Sequence, residues 1–331
     1  MMTMIGRRGL AGLGAATLLA TPALSQNRVA LRMGWTTTDG AQDPYAIGAR
    51  AFKTELERRA GGRVEVQLFP NRALGDERPL LDGMRLGTVD CGIITNAVVA
   101  QVEPAFQICD MPFLFRDEAQ AHRVLDGQVG TSLAQRLEAR GVMALGFMEG
   151  GFRQMINNVR PVAEPGDVRG VKFRVLQSPI YIGLFNALGG TAVPMAWGET
   201  FTAVQQGAVD GLEIPLAVID ASKYNEVTKY LSLTNHIYSM IALCMAKRAH
   251  DRLPQDLRAA VREASAAARA TQREEAGRIA RTLADSLGQK GMQVNRVADA
   301  AAFRRAVLPM YESFRGQIGA DIVRDALAAA E

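Results

Sequence analysis

Cysteine, histidine and tryptophan are scarce in this 331-residue chain, with three, three and two copies. Cys91, Cys109 and Cys244 each stand alone in apolar surroundings and make no CxxC or Cys/His spacing, which excludes the common zinc frameworks. An odd count permits at most one disulfide, so buried inert thiols are expected, because a free cysteine behaves as a small hydrophobe. The histidines are too dispersed to share a metal, and neither a metal nor a cofactor is expected. There is no GxSxG elbow, no HExxH helix and no Cys/His pair with a plausible partner, which removes the usual hydrolytic centres and argues against an enzyme. The net charge is only +4, and Lys and Arg are scattered among acids rather than clustered, so nucleic acid is not an expected partner.

Long apolar runs are also missing. After the first 25 residues no stretch offers 18 uninterrupted apolar positions, so a soluble mature protein is expected. The first 25 residues read as a cleaved export signal: Arg7-Arg8, an Ala/Gly/Leu/Thr-rich stretch from Gly9 to Leu24, and small residues before a cut after Ser25. Paired arginines ahead of a weakly hydrophobic core suit the twin-arginine route, and a Sec signal is the alternative. With that segment removed, net charge falls from +4 to +2 and 306 residues remain, a length suited to two domains in a periplasmic protein.

Strand and helix signals alternate, which argues for an α/β fold. Strands are expected at 29–35, 64–69, 91–95 and 142–148, and helices at 44–60, 77–86 and 117–140. Residues 84–95 (MRLGTVDCGIIT) and 204–215 (VQQGAVDGLEIP) echo one another at an offset of 120 residues. Each ends a helix at Gly-x-Val-Asp and opens a strand, which suggests two lobes of similar design. From about Pro254 to Lys290 the chain reads as one Ala/Arg/Glu-rich helix roughly 50 Å long at 1.5 Å per residue, long enough to run along both lobes. A strand at 292–297 and a helix near 300–329 complete the reading.

A set of ordered motifs then carries a resemblance. Phe69-Pro70-Asn71 with Leu74-Gly75, the run from Met111 to Phe115, Gly151-Phe152-Arg153-Gln154, the run from Gly170 to Val175, the run from Gly198 to Gly211, and Thr234-Asn235-His236 resemble the DctP-type solute-binding proteins of tripartite ATP-independent periplasmic (TRAP) transporters. The resemblance implies a two-lobe periplasmic-binding-protein fold of type II-like design, with hinge strands, a spanning helix and a ligand cleft. It implies no catalysis, a small organic-acid ligand, and TRAP permease membrane subunits as partners. Lobe I is expected to comprise 26–150 with about 240–280, lobe II 151–239 with about 281–310, and a C-terminal helix about 311–331. A monomer is expected over a dimer.

Arg174, at the end of Lys172-Phe173-Arg174-Val175, matches the family arginine that anchors the ligand carboxylate, and a guanidinium presents a rigid fork suited to a carboxylate. Arg153 matches a second arginine, and Gly150 and Gly151 beside it leave the backbone room to approach a ligand. Trp35, Thr36, Glu77, Thr95, Val98 and Trp197 map to ligand-lining positions. Ile214 replaces an asparagine amide that often donates to the carboxylate, so that hydrogen bond is either missing or supplied by Thr36, Asn96, Tyr238 or water. Glu213 is either a cleft carboxylate or a partner of a bound cation, though hard cations want six or more oxygens. Glu199 and Asp210 read as local caps.

Two tryptophans with few polar groups suit a monocarboxylate with an aromatic or aliphatic body. The alternatives are a sugar-acid or keto-acid ligand, or service as a ligand-sensing partner of a membrane receptor.

Overall fold

Alternating apolar residues set the first strands of the computed structural model, which describes residues 28–330. The expected signal at 1–25 lies outside the described residues. Strands β1 (Val29–Gly34) and β2 (Val64–Phe69) run parallel, joined by helix α1 (Pro44–Arg59), whose N-terminus is capped by Asp43 accepting from the N–H groups of Tyr45 and Ala46. Helix α2 (Glu77–Leu86) returns the chain to β3 (Cys91–Thr95) on the other edge of β1. Helices α3 (Asn96–Val99), α4 (Glu118–Asp126) and α5 (Gln128–Glu138) lead into β4 (Val142–Asn157).

The same design then recurs. Strand β5 (Lys172–Val175), helix α6 (Pro179–Ala187), β6 (Thr191–Pro194), α7 (Trp197–Gln205) and β7 (Gly211–Pro215) reproduce the order β2-β1-β3 as β6-β5-β7, again all parallel. The echo in the sequence is also an echo in hydrogen bonding. Asp90 Oδ2 accepts from the N–H of Arg32 at 2.9 Å, and Asp210 Oδ2 accepts from the N–H of Lys172 at 2.8 Å, so each aspartate ties its strand to the central strand of its lobe. The turns before them need left-handed backbone, supplied by Gly87 (φ 83°) and Gly207 (φ 72°).

Helix α8 (Leu216–Ala221), β8 (Tyr230–Leu233), β9 (Tyr238–Ala246) and α9 (Lys247–Asp251) bring the chain to α10 (Gln255–Gln289), 35 residues long. Strand β10 (Gln293–Arg296) and helices α11 (Ala300–Val307), α12 (Met310–Ile318) and α13 (Ala320–Ala329) follow. The sheet runs β2-β1-β3-β9-β4-β7-β5-β6, with β8 paired to β4 and β10 paired to β8. Strand β4 is more than twice the expected length because it serves both lobes: Val142–Glu149 pairs with β9, and Arg153–Asn157 pairs with β7. Its register shifts between Glu149 and Phe152, between these two stretches. Helix α10 packs on α1 and β4 and reaches α8, so it does span both lobes.

Three sequence expectations change. The helix at 117–140 breaks at Gly127, which adopts extended backbone between α4 and α5. The helix near 300–329 is three helices, interrupted at Pro309, which has no N–H to give, and at Gly319, at φ 102°. The C-terminal segment from 311 is accordingly two helices rather than one. The three cysteines are buried and free, and burial pushes the Cys244 thiol up to about 12.

Candidate ligand-binding site

Parallel strands end where the two lobes face one another, and the side chains just past those ends meet in a buried cleft. Lobe I contributes Thr36 and Thr37 after β1, Tyr45 from α1, Glu77 from the start of α2 and Thr95 at the end of β3. Lobe II contributes Arg174 and Leu176 around the end of β5, Trp197 at the start of α7, Ile214 and Pro215 from β7, and Val218 from α8. Arg153, in the second half of β4, completes the wall.

The two arginines differ in what they have left to give. Arg174 is 1% exposed; its Nε and Nη2 donate to the carbonyl of Met195 at 3.1 and 2.7 Å, while Nη1 is buried without a partner. Its guanidinium carbon lies 5.8 Å from the centre of the Trp197 ring, and burial lowers its pKa from the ordinary arginine value. Arg153 is saturated by comparison. Its Nε and Nη2 both donate to the Glu213 carboxylate, Nη2 also reaches the Glu213 carbonyl at 2.6 Å, and Nη1 reaches Ser239 Oγ at 3.2 Å. Its guanidinium also lies over the Tyr181 ring, 5.1 Å from the centre.

Glu213 is wholly buried and also meets His236 Nε2 at 3.2 Å. Burial works to raise its pKa, but Arg153 and His236 override this and hold the carboxyl below its usual range. It is therefore consumed by an internal ion pair rather than offered to a cation, and among the described residues no cluster of three or more His, Cys, Asp or Glu could hold a metal.

The lobe I wall is a chain of hydroxyl and carboxyl groups. Tyr45 OH lies 2.6 Å from Thr95 Oγ1, and the Thr95 backbone N–H donates to Glu77 Oε1 at 2.8 Å. Burial pushes Glu77 up to about 7 against the opposing pull of the Thr95 hydrogen bonds. The wall can thus donate to or accept from hydroxyl groups along its length.

Several expected lining residues lie elsewhere. Trp35 is fully buried in the lobe I core, its Nε1 donating to the Thr38 carbonyl at 3.1 Å, while Thr36 and Thr37, which follow it beyond the end of β1, line the cleft. Asn96 spends its amide on the Phe106 carbonyl at 2.9 Å, and Val98 is packed in the core on the short helix α3. Neither lines the cleft, and Glu213 lies behind Arg153. Tyr238 donates to Glu149 Oε2 at 2.9 Å, so of the side chains considered as substitutes for the missing asparagine amide, Thr36 is the one in the cleft. Gly150 and Gly151 do not reach it either: a Cβ on Gly150 would fall 2.4 Å from the Ser239 carbonyl, so the room is used by β9. Thr37, Tyr45, Leu176, Pro215 and Val218 line the cleft without having been anticipated. Tyr45 had a faint signal, two residues past the Asp43 cap, but no motif.

Residues 36–317 match the model of the bacterial extracellular solute-binding proteins, family 7, of DctP type. A solute-binding protein of Verminephrobacter eiseniae is 39% identical over 93% of this chain and 91% of its own. Among solved structures, the sugar acid binding protein of Advenella mimigardefordensis in complex with galactonate superposes with a TM-score of 0.89 at 31% identity, covering 92% of this chain and 98% of that one. A TRAP periplasmic solute-binding protein from Polaromonas sp. JS666 bound to D-erythronate gives 0.88 at 35% identity, covering 91% and 99%. No helix among the described residues is long and apolar enough to cross a membrane. By sequence match, by fold and by the cleft between its lobes, this chain belongs to the family 7 extracellular solute-binding proteins, the DctP-type periplasmic receptors that bind small acids for TRAP transporters and are not enzymes.

Proposed function

We propose that the cleft takes a small hydroxylated monocarboxylate of the sugar-acid kind and hands it to the membrane subunits of a TRAP transporter. The observation that carries this reading is that Arg174, whose Nη1 is buried and without a partner among the described residues, lines a cleft whose other lobe presents Thr36, Thr37, Tyr45, Glu77 and Thr95. A guanidinium nitrogen without an acceptor is a strong pull on an anion, and the hydroxyl wall matches a polyol body better than a hydrocarbon one. The acid with an aromatic or aliphatic body loses its main support, since only one of the two tryptophans lines the cleft. Ile214, Leu176 and Pro215 leave an apolar strip against which the carbon chain of the acid lies. Galactonate and D-erythronate in the two similar structures favour the same ligand class.

The proposed ligand set is Arg174, Arg153, Trp197, Thr36, Glu77, Thr95 and Ile214, enlarged by Tyr45 and Thr37. The proposed lobes are 26–150 with about 240–280, and 151–239 with about 281–310; the register shift between Glu149 and Phe152 in β4 supports that division. Residues 1–25 are proposed as the signal that exports the chain to the periplasm.

A thermal-shift series on the mature protein tests the ligand class. A binder at 100 times its dissociation constant adds about 2.7 kcal/mol, enough to raise Tm by a few degrees. Shifts with D-erythronate, galactonate and related aldonates, and none with alkyl and aryl acids of equal size, are the expected result. The opposite ranking would overturn the sugar-acid reading.

A further inference from the structure

Two elements from opposite lobes meet at Gly198, outside the innermost part of the cleft. Asp76 is the N-cap of α2, and its Oδ1 accepts from the Glu77 N–H at 3.2 Å. Its other oxygen, Oδ2, accepts from the Gly198 N–H at 3.1 Å, in the first turn of α7 and 122 positions along the chain. One carboxylate thus serves the N-termini of two helices in two lobes. The first N–H groups of a helix have no intrahelical partner and carry partial positive charge, so a carboxylate there is favoured. Helix α7 has no cap of its own for this purpose, since its N-cap residue is Ala196.

Gly198 is shaped for the meeting. A Cβ at this position would fall 1.7 Å from Arg72 Nη1 and 3.0 Å from Asp76 Oδ2, so the missing side chain is the notch that admits both. Arg72 is presented by a tight turn in which Asn71 and Arg72 hold φ of 54° and 62°, left-handed values that residues other than glycine seldom adopt. That turn is tied down by the Arg72 N–H donating to the Trp35 carbonyl at 3.2 Å and the Gly75 N–H donating to the Arg72 carbonyl at 2.8 Å. A second bond crosses nearby, from Gln101 Nε2 to the Gln177 carbonyl at 3.0 Å.

We infer that Asp76, Arg72 and Gly198 form a clasp between the lobes, assisted by the Gln101 bond, that favours the closed arrangement whichever acid is held. These are positioning residues: their partners are protein groups across the cleft, and their effect is on how long the cleft stays shut. A clasp of this kind lowers the free energy of the closed form before any ligand contact is counted, and so slows ligand escape without changing the anchor.

The test needs no ligand and is therefore independent of the sugar-acid reading. Nitroxide labels on Thr54→Cys and Arg169→Cys, exposed positions on the two lobes, report the interlobe distance by pulsed electron resonance; the three native thiols are buried and stay unlabelled. Asp76→Ser keeps an N-cap for α2 but is too short to reach α7. Gly198→Ala keeps Asp76 and fills the notch. Each variant is expected to cut the ratio of closed to open molecules at least about tenfold at an unchanged Tm, as loss of one hydrogen bond to a charged group implies. Should Asp76→Ser fail to fold, Gly198→Ala decides alone, its α2 cap being intact. Distance distributions identical to the wild type in the folded variants overturn the clasp.

Discussion

Arg153 gives Nε and Nη2 to the carboxylate of Glu213, so one of the two arginines of the cleft is already neutralised by the protein. Arg174, whose only acceptor among the described residues is the Met195 carbonyl, keeps a buried nitrogen without a partner there. The two guanidiniums are therefore proposed to divide the work: Arg174 would attract the anion, while Arg153 ties β4 to β7 through Glu213 with its charge locally balanced.

That division makes Arg174 the sensitive residue for affinity. Arg174→Ala is expected to weaken binding of the cognate acid by about 2–5 kcal/mol, roughly 30- to 4000-fold, in isothermal titration. Arg174→Lys should recover little, because an ammonium lacks the planar fork that lets a guanidinium hold the Met195 carbonyl on one side and a ligand carboxylate on the other. Wild-type affinity in the lysine variant would place the anchor elsewhere.

For the ion pair the first readout is stability rather than affinity. Removing one member leaves a buried charge without its partner, so Glu213→Ala should cost about 3–5 kcal/mol in urea unfolding. Replacing both residues by apolar ones, as in Arg153→Met with Glu213→Leu, should return much of that loss. A Glu213→Ala protein as stable as the wild type would mean that Arg153 finds another partner.

Glu77 gives stability a pH dependence of definite sign. Its carboxyl is raised from the ordinary 4.5 to about 7 by burial, so between those values the folded protein binds more protons than the unfolded chain. Stability from this group is full below pH 4.5 and falls as pH rises towards 7, by about 3 kcal/mol in all. Asp43 and Asp110, raised by burial to about 6 and about 7, act in the same direction. Glu77→Gln should remove its share of that falling limb, so the gap in unfolding free energy between variant and wild type should widen from pH 4 to pH 7. A gap independent of pH would show that Glu77 titrates normally.

The cysteines offer a simple check on the packing. All three are buried within the core, and burial raises each thiol above its usual range, so none should react with a thiol reagent in the folded state and all three should react in denaturant. A thiol that reacts quickly in the native protein would contradict the packing of β3 against β9, where Cys91 and Cys244 lie.

Much of the architecture was legible because it rests on local chemistry. The strands at 64–69 and 91–95, the helix at 77–86 and the long helix to residue 289 depend on apolar period and on glycine stops, which a sequence displays directly. The helix breaks at Gly127, Pro309 and Gly319 were equally visible as residues but not as events, since a glycine or proline only sometimes interrupts a helix. The cleft was harder. Trp35 and Thr36 are adjacent just past β1, and which of them lines the cleft depends on how the chain leaves that strand against a core that the sequence does not draw.

By itself the sequence determined two lobes of one design, through paired Gly-x-Val-Asp turns whose aspartates bond to the neighbouring strand, and it placed an arginine at the end of β5. Only the tertiary structure decided that Arg153 is spent on Glu213, that Tyr45 joins the hydroxyl wall, and that Asp76 reaches across to Gly198. Turns and strands are set by neighbours a few positions apart, whereas each of these contacts joins residues 50 to 122 positions apart, so only packing of the whole chain could place them.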